Sequence, residues 1–129
     1  MRIVACTEGS FGKLEPFSLE MITAARMAGA AGDEVVAFFA GQELEPAVAN
    51  LGAADRLVAA SAGGSQLIAA ESYARLLADT VAAEEPGLVL VPYSANGLDV
   101  AGDLAARTGW PLVSYVNEIR RERWLGLLA

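Results

Sequence analysis

Residues 88–116 read LVLVPYSANGLDVAGDLAARTGWPLVSYV, and this stretch decides the fold class. Leu88 to Val91 is a short, unbroken apolar run, the pattern of a strand buried on both faces. Ser94 to Gly97 is polar and small, which reads as a loop. Leu98 to Thr108 has the spacing of a helix, and Gly109 and Pro111 close it. Leu112 to Val116 is apolar and β-branched again. Strand, loop, helix and strand within one short stretch predict a parallel crossover unit.

The same alternation extends toward the N-terminus. Ile3 to Cys6 reads as a buried strand, followed by a polar loop over residues 7–16 with Gly9 and Gly12. Ser18 is placed to cap a helix whose apolar stripe is Leu19, Ile22, Ala25 and Ala28. Gly29 and Gly32 stop it. Glu34 to Ala40 is a second strand ended by Gly41, and Glu43 to Leu51 a short helix with Pro46 in its first turn. Arg56 to Ala60 is a third strand. Residues 66–85 form the longest predicted helix, with Leu67, Ala70, Ala74, Leu77 and Val81 on one face, broken by Pro86-Gly87. The order β-α-β-α-β-α-β-α-β predicts a three-layer α/β domain with a parallel sheet of about five strands. One domain over residues 1–129 is expected. Residues 118–129 carry strand-like Ile119, Trp124 and Leu125 without a closing element.

Composition narrows the function. Hydrophobic residues make up 54% and charged residues 19%, the balance of a packed domain. The net charge of −7 argues against a nucleic-acid backbone as partner. The cluster Arg120, Arg121 and Arg123 reads as a solvated charge run. There is one cysteine and no histidine, so an internal disulfide, the common zinc sites and an imidazole base are all ruled out. No signal-peptide pattern opens the chain and no apolar run has the length of a membrane span, so the expectation is a cytoplasmic protein without membrane contact.

In an open parallel sheet, ligands sit beyond the carboxyl ends of the strands. That rule selects Cys6, Thr7 and Glu8, then Gly41, then the loop with Ser94, Asn96 and Gly97. The last loop precedes a helix, where free N–H groups cradle an anion or are simply capped. Asp99 near that helix start would repel a phosphate. Cys6 reads as a small buried hydrophobe. Glu8 and Asp99 form a carboxylate pair only if the two loops converge. Tyr93, Trp110 and Trp124 suit packing or an interface. The chain has no Walker A sequence, no G-x-G-x-x-G after the first strand and no G-x-S-x-G elbow. No nucleophile has a base beside it, so independent catalysis is not expected.

Two stretches resemble a known family. Residues 3–28, IVACTEGSFGKLEPFSLEMITAARMA, resemble the opening of electron-transfer flavoprotein alpha subunits: strand, acidic residue, glycine-containing loop, Leu-x-Pro-like turn and alanine-rich helix. Residues 91–116 are similar to that family's strand, small-residue loop, Gly-x-Asp, Leu-Ala-Ala-Arg-x-Gly and following strand. The resemblance covers nearly the whole chain. It implies a fold like the adenine-nucleotide alpha-hydrolases, with strand order 3-2-1-4-5. It also implies a beta-subunit partner, FAD held by a separate C-terminal domain, and electron delivery from acyl-CoA or other dehydrogenases. The family's flavin domain has no counterpart here, so the expectation is an N-terminal-type scaffold domain, shortened at its C-terminal end. Its cleft of Cys6, Thr7, Gly41, Ser94, Asn96 and Gly97 would be a vestigial nucleotide site, with AMP the conceivable ligand. Homo-oligomerisation in isolation is expected. The other class considered is an adenine-nucleotide-binding module of the universal-stress type, which the glycine spacing of residues 94–103 matches poorly.

Overall fold

A computed structural model describes residues 1–10, 13–61 and 69–120. Its main sheet is built on β1 (Arg2–Cys6), whose residues from Ile3 to Cys6 are fully buried. Apolar side chains on both faces suit a central strand, and β1 is paired on both sides. On one side lies β4 (Glu34–Gly41), in parallel register from Arg2↔Glu34 to Cys6↔Phe38. On the other lies β6 (Leu88–Leu90), with Val4 opposite Val89. β5 (Arg56–Ser61) adds to the far edge of β4. The order is β5-β4-β1-β6, all parallel, which is the predicted 3-2-1-4 arrangement of the main strands.

The alternation of strand side chains supplies two cores. Val4, Cys6, Val36, Phe38 and Ala40 face one way, toward Tyr73, Ala74, Leu77 and Val81 of α3 (Ala70–Glu84) and Val100 and Leu104 of α4 (Ala95–Thr108). Ile3, Ala5, Val35, Ala37 and Phe39 face the other way, toward Ile22 and Ala25 of α1 (Phe17–Ala28), Ala47 of α2 (Glu45–Asn50) and Leu51 just after it. The result is three layers, helices over both faces of the sheet. Alanine at so many contact positions lets helix and sheet approach closely.

The fifth predicted strand, residues 112–116, forms no ladder with β6 among the described residues. Its side chains are exposed, Val113 at 75% and Tyr115 at 80%. Strand-forming residues extend a sheet only where a pleated surface and a covering layer meet them, and here neither does. Tyr115 also has a φ of 59°, a left-handed conformation that interrupts an extended run. Trp124 and Leu67, read above as packing residues, lie outside the described residues.

Four local readings change. Helix α1 starts at Phe17, so Ser18 lies inside it and is buried rather than capping. Leu19, placed in the core stripe, is 46% exposed, because the buried face runs through Ser18, Ile22, Ala25 and Ala28. The loop after β1 folds into a small hairpin, β2 (Gly9–Ser10) against β3 (Lys13–Leu14). Helix α4 begins at Ala95, three residues earlier than the spacing predicts, so Asn96 and Gly97 belong to its first turn.

Candidate functional site: a cleft closed by its own side chains

The carboxyl ends of β1, β4 and β6 sit side by side, and these strand ends, the loops after them and the first turn of α4 carry the residues selected from the sequence. Thr7 continues β1. Its hydroxyl and its N–H both donate to the Phe38 carbonyl, at 2.8 and 2.9 Å. Thr7 is fully buried, so it ties β1 to β4 rather than offering a hydroxyl to a ligand. Its own carbonyl accepts from the Tyr73 hydroxyl at 2.7 Å. Cys6 beneath it is fully buried, and burial pushes its thiol far up from the usual range. A thiol held neutral in this way is no nucleophile.

Glu8 is the residue that organises the cleft. Its backbone is clamped by Ser18, whose hydroxyl accepts from Glu8 N at 2.9 Å and donates to the Glu8 carbonyl at 3.0 Å. Glu15 N also donates to that carbonyl, at 2.8 Å. The Glu8 side chain accepts from the Ser94 hydroxyl at 2.9 Å. Ser94 is the cap of α4 and accepts from Gly97 N at 2.9 Å. Carboxylate, hydroxyl and helix N–H therefore form one chain of hydrogen bonds. Half-burial raises the Glu8 pKa, the Ser94 bond pulls it partly back, and the nearby Glu15 charge adds to the rise. The positive end of α4, where a phosphate would sit, is approached by a carboxylate of the same molecule.

Gly97 admits no other residue without rearrangement. A Cβ there would run into the Pro92 carbonyl oxygen. Asn96 stands beside it, partly buried. Asp99 is exposed and lies beyond the first turn, and Glu8 turns to Ser94. The imagined pairing of Glu8 with Asp99 is thus replaced by a carboxylate–hydroxyl bond. No group of three or more His, Cys, Asp and Glu is placed to hold a metal among the described residues.

The far side of the cleft is closed by packing. Gly41 ends β4, and a Cβ on it would meet the Phe39 ring at 3.0 Å. The hairpin lies over the same ring: a Cβ on Gly9 would lie 2.8 Å from Phe39 Cε2 and 2.9 Å from the Lys13 carbonyl. Phe39 is 4% exposed in consequence. Gly41 therefore serves ring packing, and it stands two strands away from Ser94. The loops and first helical turns around this end also carry Glu43, Glu45 and Glu71. Carboxylates ringing a mouth repel phosphate.

Sequence reasoning located the loops but missed Ser18, Phe39 and the hairpin. Gly9 gave a signal, as a glycine just past a strand end, but nothing told which ring it would accommodate. Tyr93 lies against Tyr115, ring centroids 4.7 Å apart, on the exposed side of the α4 loop. No helix among the described residues is long and apolar enough to cross a membrane.

A comparison with curated proteins finds no match. The family model described as the electron transfer flavoprotein domain matches residues 3–126, almost the whole chain. With an α/β fold built on a parallel sheet, the chain belongs to the electron transfer flavoprotein domain family.

Proposed function

We propose that the chain is a scaffold and partner-binding domain of the alpha-subunit type, working within an electron-transfer flavoprotein that passes electrons from dehydrogenases through FAD. The single observation that carries this reading is the Glu8–Ser94–Gly97 hydrogen-bond chain. A pyrophosphate or phosphate needs the N–H groups of α4 and a neutral or cationic surround. Glu8 supplies a negative charge there instead, so the residues present do not fit FAD or AMP. The flavin is assigned to another part of the parent assembly, and no step of electron transfer is routed through this domain. The buried Cys6 and the absence of histidine in the chain support a non-catalytic role. The cytoplasm is the proposed compartment.

The partner that the alpha-type resemblance implies is an electron-transfer flavoprotein beta subunit of related fold. Co-expression of the tagged chain with the beta subunit of the same organism tests this. The expected result is co-purification in equal proportion through a second, size-based step. Recovery of the tagged chain without the beta subunit removes the alpha-type assignment and leaves the family membership standing.

A further inference from the structure

We propose that a second copy of this chain covers the face formed by residues 110–116, the two segments pairing antiparallel across a twofold axis. Among the described residues β6 is the last strand of the sheet on its side, and the apolar segment after α4 leaves it unextended. Leu112, Val113, Tyr115 and Val116 are all exposed. An apolar edge of strand-forming residues with unpaired backbone groups is a template for another strand.

The charge pattern selects a copy of the same chain as the occupant. Each copy carries −7, so most faces repel one another. Residues 108–117 contain no charged side chain. The charges that flank them are neutralised within the chain, Asp103 by Arg107 at 2.6 Å and Glu118 by Arg120 at 2.9 Å. Two copies meet here without like charges facing each other. A twofold axis places the same segment on both sides, so each copy offers the backbone groups that the other lacks. Trp110, Tyr93 and Tyr115 are the residue types enriched at such contacts. Pairing would also return Tyr115 from its φ of 59° to the extended region.

Sedimentation velocity of the purified chain from micromolar to millimolar concentration tests the proposal. The expected mass rises with concentration to twice that of the monomer. Val113→Lys puts two like charges opposite each other and holds the mass at one copy throughout. Met27→Lys, at 79% exposure on α1 and away from the segment, serves as the matched control and leaves the doubling intact. A wild-type mass fixed at one copy overturns the proposal. So does a Val113→Lys protein that still dimerises, or a Met27→Lys protein that does not.

Discussion

Phe38→Ala is expected to cost about 4 kcal/mol of stability, the usual loss for removing a buried aromatic ring. Phe38 is fully buried, opposite Cys6 on β1 and Val58 on β5, in the face that meets α3 and α4. Its ring stands edge-on to Tyr73, with centroids 5.1 Å apart and planes at 83°. Its carbonyl takes both bonds from Thr7, so the residue joins the core to the start of the cleft loop. Truncation leaves a cavity under Tyr73, whose hydroxyl is anchored to the Thr7 carbonyl and cannot swing in to fill it. Urea unfolding followed by fluorescence measures the loss directly. A cost below about 1 kcal/mol would mean that the site collapses freely, contrary to the packing described.

Gly97→Ala is the second large effect and bears on the cleft itself. The added methyl group would collide with the Pro92 carbonyl oxygen, and a backbone atom is the neighbour that yields least. The first turn of α4 must move away from the β6 loop, and the Ser94–Gly97 bond goes with it. Overpacking of this kind costs about 3 kcal/mol. At roughly 4 °C per kcal/mol for a domain of this size, Tm falls by about 12 °C. Gly102, five residues later in the same helix, is the control: nothing lies within 4 Å of its Cβ position. Gly102→Ala is expected to raise stability by up to about 1 kcal/mol through helix propensity. Differential scanning calorimetry of the pair separates contact from propensity; equal Tm values for the two variants would contradict the close approach at Pro92.

The parts of this structure that were legible in the sequence are those with a local cause. Ile3 to Cys6, Glu34 to Ala40 and Leu88 to Val91 carry short-range apolar patterns, and the ladders follow them closely. The cap, Ser94, falls within the predicted loop, ahead of the helix start that the spacing predicts. What was not legible depends on distant partners. Ser94 and Glu8 are 86 residues apart, and no spacing rule links a helix cap to the loop after the first strand. Ser18 looked like a cap because serine before an apolar stripe usually is one; its hydroxyl was claimed instead by the Glu8 backbone. Residues 112–116 have a strand's composition without a strand's surroundings, and propensity alone does not supply the neighbour. The candidate cleft carries the Glu8 carboxylate bonded to Ser94 on one side and the Phe39 ring under the hairpin on the other.

The central claim is that this cleft is closed by its own residues and leaves the domain to serve as scaffold. Isothermal titration calorimetry of the purified chain with AMP, ATP and FAD tests it most directly. The account predicts no binding heat for any of the three. Micromolar binding of an adenine nucleotide, abolished by Asn96→Ala, would contradict it and make the ends of β1 and β6 a working nucleotide site.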